Sequence, residues 1–219
     1  MQVTVFTEES GIKLPEIKKW KNSLGRGKDI GKDKEIKALL EENNLSLPEH
    51  NIELEKRYRE ILQDYLRPAR TMFAGMFTEV RDFKDNLSNY NISLYIISGR
   101  YGLLGQDEVI IPYVSNISSV NDIEILDKRT GFSQRMLEKT TESTIVIILL
   151  PIQFISYLLT IDWFSFLNSN STIVLVTSKH FKEKFSDMPN IKLLERRGVA
   201  RMGSYNREEI ISIIESLSE

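Results

Sequence analysis

The sequence predicts an α/β fold, with a mostly parallel central sheet flanked by helices in a single domain. Three observations carry that expectation. Apolar, β-rich runs alternate with runs of helical spacing along the chain. The most strand-like run, Thr144–Leu150, is β-branched and leads into Pro151, which suits the first turn of a helix, where a missing N–H does no harm. The 219 residues suffice for a sizeable core at roughly 100–200 residues per domain.

Taken in order, Gln2–Phe6 alternates and reads as the first strand, and Thr7–Gly11 as a loop. Residues 13–37 carry nine Lys/Arg against four acids, a basic segment whose stretch Gly25–Lys34 is expected to be a flexible loop or arm. Lys34–Glu42 is a short helix. Ile52–Leu66 places Leu54, Tyr58, Ile61, Leu62, Tyr65 and Leu66 at helical spacing. Pro68 marks a boundary, Arg70–Phe83 reads as a helix and Asp85–Asn91 as a turn-rich connection. Ile92–Ile97 is a buried strand, Tyr101–Tyr113 a loop, Arg129–Thr140 a helix and Pro151–Phe166 another. Ser171–Thr177 is a strand, Lys179–Phe185 a short helix, Ile191–Leu194 a short strand and Arg207–Leu217 the closing helix.

Composition excludes several classes of function. Lys+Arg is 29 against 31 for Asp+Glu, so a wholly basic nucleic-acid coat is ruled out and a local basic patch is not. The chain has no cysteine, which excludes disulfides, thiolate metal sites and cysteine nucleophiles. Its two histidines, His50 and His180, argue against a multi-histidine metal site, and no cofactor is expected. The apolar stretch Thr144–Leu167 is long enough to raise a membrane span. Pro151, Gln153 and Asp162 interrupt it, so it reads as a strand followed by a helix. No membrane partner and a cytoplasmic location are expected; a protein partner is not specified.

Phosphate-loop motifs fail on inspection. Gly31-Lys32 is followed by Asp33 and position 26 is Arg, so the P-loop pattern is not met. Gly25-x-Gly27 is followed by Ile30 where a dinucleotide fingerprint needs glycine. The basic segment reads either as a solvated loop or as an arm that touches phosphates.

Ligands of parallel sheets sit beyond the carboxyl ends of the strands, which selects the loops after Phe6, Ile97, Leu150 and Thr177. In Ser98-Gly-Arg-Tyr-Gly-Leu-Leu104, Arg100 suits a bidentate contact with phosphate and Tyr101 a stacked base. The same residues also suit a tight turn whose Leu103 and Leu104 plug the core. Arg67 and Arg70, around Pro68 at a helix start, suit an anion or an exposed charged turn. Lys179 and His180 follow a strand end, where Ser178 suits a helix cap. Arg196, Arg197 and Arg201 form a basic cluster with Tyr205 nearby, which suits a single strand or a solvated face. Glu8, Glu9 and Asp107 are candidate general bases or Mg2+ ligands, with no spacing that selects one. No Gly-x-Ser-x-Gly is present.

Ser98-Gly-Arg-Tyr-Gly-Leu-Leu104, with Asp107 and Ile111-Pro-Tyr113, resembles the central signature of the YaaA peroxide-stress family and the wider YaaA-like group. Arg67–Phe77 is similar to that group's Pro-Ala helix, and Thr177–Lys182 to its Ser-x-x-Phe-Lys stretch, so the resemblance spans roughly residues 67–182. Two features depart from it. Thr7-Glu-Glu-Ser10 stands where many members carry a Cys-x-Lys loop, and the helix-hairpin-helix-like element of YaaA proteins is not found. The resemblance implies a nucleotide- or nucleic-acid-facing α/β protein in base modification, stress response or defence. Arg67, Arg70, Arg100, Lys179, Arg197 and Arg201 would hold phosphate. Tyr101 and Tyr113 would stack on a base, and Ser98, Asp107 or Glu8 would serve N-glycosidic chemistry, which needs a carboxylate to stabilise a sugar cation. A non-catalytic DNA-binding stress protein and a small-molecule nucleotide hydrolase or transferase are the alternative readings.

Overall fold

A computed structural model describes residues 1–15, 26–196, 198 and 200–218. In chain order the elements begin with β1 (Gln2–Glu8), β2 (Ile12–Lys13), β3 (Lys28–Asp29), α1 (Lys34–Glu42), α2 (Glu55–Ile61), β4 (Arg67–Pro68), α3 (Ala69–Met72) and α4 (Phe77–Asn86). Next come β5 (Asn91–Ser98), β6 (Gly102–Gly105), β7 (Val109–Ile110), α5 (Val120–Thr130) and α6 (Phe132–Thr140). The last are β8 (Ile145–Leu149), α7 (Ile152–Thr160), β9 (Thr172–Thr177), β10 (Ile191–Glu195) and α8 (Gly203–Ser216).

The central sheet has six strands in the order β10-β9-β8-β1-β5-β6. All its pairs are parallel except β5 with β6. The five residues of β8, Ile-Val-Ile-Ile-Leu, are all buried, the continuous apolar run of a strand covered on both faces. β1 lies between β5 and β8, with Val5 level with Leu94 on one side and Ile147 on the other. The chain therefore runs outward from β1 to β5 and β6, returns across β1 to β8, and proceeds outward again. That reversal of strand order flanks β1, where open parallel sheets place their ligands.

Each face of the sheet carries its own core. Val3 and Val5 pack with Phe77, Val80 and Phe83 of α4 and with Ile210 and Ile214 of α8. Phe6 packs on the other face with Ile123 and Leu126 of α5, Phe132 and Met136 of α6, and Phe154, Ile155 and Leu158 of α7. The expected α/β class and helix-flanked parallel sheet are thus the ones observed. Among the described residues no helix is long and apolar enough to cross a membrane.

Several elements differ from the sequence reading. The single helix expected over Arg70–Phe83 is broken after Met72, where Phe73 is extended, and Gly75 then turns the chain at a φ of 63° before α4 begins. The loop expected over Tyr101–Tyr113 contains β6, paired antiparallel on β5, and β7, paired with β4. α5 was not expected, and the helix read from Arg129 begins only after Gly131, which ends α5 in the left-handed conformation. Pro151–Phe166 splits at Asp162, also left-handed, into α7 and a short 3-10 turn.

The expected flexible loop is not free over residues 26–34. β3 pairs with β2, Ile30 is buried, Asp33 caps α1 through the N–H groups of Glu35 and Ile36, and Lys28 pairs with Asp33 at 3.0 Å. Gly25, with Lys18, Lys19 and Lys21 of the basic segment, lies outside the described residues.

Candidate functional site at the carboxyl edge of the sheet

β5 ends in Ser98, whose hydroxyl organises the turn that follows. Its Oγ accepts the N–H groups of Arg100 at 3.2 Å and Tyr101 at 3.0 Å, a local side-chain-to-backbone turn. The same oxygen lies 2.7 Å from the Tyr113 hydroxyl, and Tyr113 donates to Glu9 Oε2. With the tyrosine proton directed at Glu9, Ser98 donates to Tyr113, so a chain of hydrogen bonds runs Ser98 to Tyr113 to Glu9. Glu9 Oε1 accepts the Gly99 N–H at 3.0 Å. Burial, reinforced by Glu9, pushes the Tyr113 hydroxyl well above its ordinary pKa, which keeps it a donor.

Lys13 closes this cluster. Its buried ammonium donates to the Ser10 carbonyl at 3.0 Å and lies 4.4 Å from the centre of the Tyr113 ring. Burial lowers its pKa, and Glu9 and Asp29 act in the opposite direction.

Arg100 is 0% exposed. Its Nε and Nη2 donate to Glu55 Oε2 at 3.1 and 2.7 Å, and Nη1 donates to the carbonyls of Glu49 and Asn51. Glu55 also accepts the Tyr101 hydroxyl at 2.8 Å. The expectation that Arg100 grips a phosphate is therefore corrected: its guanidinium fastens the 49–55 segment to the turn after β5. Tyr113 is fully buried and Tyr101 half-buried, with the two rings edge to face at 5.6 Å. Tyr113 therefore has no free face for a base. Ser98 is likewise fully buried, a hub of the turn instead of an accessible nucleophile.

The other expected site residues fall in separate places. Arg70 Nε lies 2.8 Å from Asp107 Oδ1 without hydrogen-bond alignment, and the Asp107 side chain is 64% exposed. That surface ion pair lies apart from the carboxyl edge, so Asp107 loses the catalytic role read for it. Arg67 donates to the Pro15 carbonyl at 3.3 Å. Lys179 is exposed, and Ser178 gives no side-chain cap to the turn it precedes; its Oγ is 2.8 Å from His180 Nδ1. Arg197 lies outside the described residues. Arg201, read as an exposed cation, is 4% exposed. It donates to Thr7 Oγ1 at 2.7 Å and to the carbonyls of Glu8 and Glu9, so it braces the end of β1. Burial lowers its pKa against the pull of Glu8.

Glu8 remains where the sequence placed it, at the tip of the central strand. Arg196 Nη2 lies 3.8 Å from its Oε1 and Arg201 Nη1 lies 3.5 Å from its Oε2. The Arg196 N–H bonds the Thr177 carbonyl at 2.8 Å, so this side chain reaches from the β9/β10 side toward β1, across the end of β8. Three polar atoms here are buried without a hydrogen-bond partner among the described residues: Glu8 Oε2, Thr177 Oγ1 and Arg196 Nη1. They are, respectively, an acceptor, a hydroxyl and a donor, and Thr177 is 1% exposed. Buried polar atoms of native proteins are nearly always satisfied; Arg70 Nε, Gln106 Oε1 and Ser115 Oγ are the others without a hydrogen bond among the described residues, and this edge gathers three.

Sequence reading did not single out Glu55, Lys13 or Arg129. Arg129 donates to the carbonyls of His50 at 2.7 Å and Arg100 at 2.9 Å, and to that of Gly99. Its signal was limited to a cation two residues before a helix-ending glycine. Among the described residues, no group of three or more His, Asp or Glu side chains is arranged to hold a metal ion. The chain matches no protein-family model, and no curated protein matches it significantly. The fold and this edge define an α/β protein whose distinctive polar cluster lies beyond the carboxyl ends of β1, β9 and β10.

Proposed function

We propose that the protein binds a nucleotide at the carboxyl edge of β1, β8 and β9, with Glu8, Thr177 and Arg196 as its contacts. One observation carries this reading: a carboxylate oxygen, a hydroxyl and a guanidinium N–H that are buried without a hydrogen bond among the described residues, at the carboxyl edge that runs from β1 to β10. A nucleotide supplies the complement of all three. Its ribose hydroxyls donate to a carboxylate, as they do at the acidic residue of dinucleotide folds, and its phosphate accepts from Arg196. Glu8 then takes over from Asp107 as the carboxylate facing the sugar, so release of free base from a nucleoside or nucleotide is the activity to assay. The resemblance of residues 67–182 to the YaaA-like group supports the ligand class.

Calorimetric titration with nucleosides, nucleoside monophosphates and short oligonucleotides tests the proposal. Arg196→Ala should weaken a monophosphate at least roughly tenfold, the worth of a charged hydrogen bond of about 1.5–3 kcal/mol, and leave the weaker nucleoside binding nearly unchanged. Glu8→Gln should weaken both. No binding of any of these ligands to the parent protein overturns the reading. Binding that both substitutions leave intact moves the site elsewhere.

A further inference from the structure

A second cleft lies beside the end of β5, on the α5 side of the sheet. It encloses about 310 Å³ and is bordered by Gly99, His50 and Arg129 on one side and by Ile117, Ile125 and Leu126 on the other. That volume falls at the lower end of ordinary small-ligand sites. The surface is predominantly apolar, and its charged side chains are Arg129 and Asp122.

Arg129 is the unusual group. Three backbone carbonyls surround its guanidinium, those of His50, Gly99 and Arg100. No carboxylate pairs with it among the described residues, and burial, then the like-charged Arg100, lowers its pKa. Of its five N–H donors, two are left over, the Nε–H and one on Nη2. His50 directs Nδ1 at the Gly99 carbonyl, 3.1 Å away, which places the proton on that nitrogen and leaves Nε2 open. The acids nearby are engaged. Asp122, on the cleft wall, accepts from Ser118 and Ser119 in the cap of α5, and Glu53 accepts from Asn51. Arg129 thus has no ion-pair partner among the described residues, beside an apolar wall on which Ile125 is 57% exposed.

We infer that this cleft binds a small organic anion with an apolar body, a carboxylate or phosphate ester, its anionic head on the two spare N–H groups of Arg129 and its body on Ile117, Ile125 and Leu126. None of these residues belongs to the Glu8–Arg196 edge, so the two sites stand or fall separately.

Octanoate, octanamide, phenyl phosphate and inorganic phosphate are the probes, titrated into the full chain by calorimetry with ligand-observed NMR. Octanoate or phenyl phosphate should bind at least tenfold more tightly than octanamide, which lacks the charge, and than inorganic phosphate, which lacks the body. Ile125→Glu alters an exposed side chain and sets a carboxylate beside the head; it should abolish binding with the thermal midpoint unchanged. Arg129→Gln should also abolish binding, with a lower thermal midpoint because its three carbonyl contacts are lost, and Arg196→Ala should have no effect. Equal binding of octanoate and octanamide, unchanged binding in the folded Ile125→Glu protein, or no binding of either organic anion at millimolar concentration overturns the inference. Nucleotide titrations of Ile125→Glu report on the other site alone, because that substitution leaves Glu8 and Arg196 in place.

Discussion

Arg100 and Glu55, 45 residues apart in sequence, are joined by two hydrogen bonds to a single carboxylate oxygen while Tyr101 bonds the other. The pair fastens the turn after β5 to the start of α2, and both guanidinium edges are used within the protein. Removing one partner of such a pair leaves a buried charge unpaired. Glu55→Ala should therefore lose about 3 kcal/mol, a fall of roughly 6–12 °C in Tm at 2–4 °C per kcal/mol. Thermal denaturation followed by circular dichroism measures it. A fall below about 2 °C would show that the pair does not hold the turn.

Alkaline pH should unfold the protein through its tyrosines. Tyr101, Tyr113 and Tyr157 are all raised above the ordinary value of 10.0, each chiefly by burial and then by a neighbouring carboxylate. Above about pH 10 the unfolded chain releases protons that the folded chain keeps, so stability falls as pH rises. Lys13 has the opposite sign. Its folded pKa lies below 10.5, so stability rises with pH from that lowered value up to the unfolded one. Tyrosinate absorbance recorded beside circular dichroism should show these three phenols ionising together with unfolding, and Lys13→Met should remove the rise that precedes it.

Gly99 is crowded by three neighbouring side chains. A Cβ there would collide with Ser115 Oγ and lie 3.1 Å from Glu9 Oε1. Gly99→Ala should lose about 1–3 kcal/mol by overpacking. Ser115→Ala removes the colliding oxygen and should recover part of that loss in the double variant. Urea denaturation of the three proteins reads the coupling directly.

Asp107 and Lys179 provide the contrast. Both are exposed, and surface pairs contribute little. Asp107→Asn and Lys179→Ala should each change stability by no more than about 0.5 kcal/mol and leave nucleotide titrations unchanged. A tenfold loss of nucleotide affinity in Asp107→Asn would restore that carboxylate to the site.

The strands β1, β5, β8 and β9 were legible because strands covered on both faces appear as uninterrupted apolar runs. β6 was not: Gly-Leu-Leu-Gly has no strand signal of its own and is defined by pairing with β5. α5 was missed although its capping box is written in the chain, with Ser119 and Asp122 three residues apart. Glu8 was legible as a carboxylate at a strand tip. Arg100 and Arg201 were misread for one reason: an arginine in a loop looks ligand-facing until its partners are known, and those lie 45 and 194 residues away.

The central strand sets a condition on how the chain is made. β1 is made before either of its neighbours, residues 91–98 and 145–149, and before Arg201, which braces its tip. Closing such distant pairings is slow. An apolar segment of the nascent protein must wait, unpaired, until those distant strands are made, which makes chaperone dependence during synthesis the expected cost of this topology.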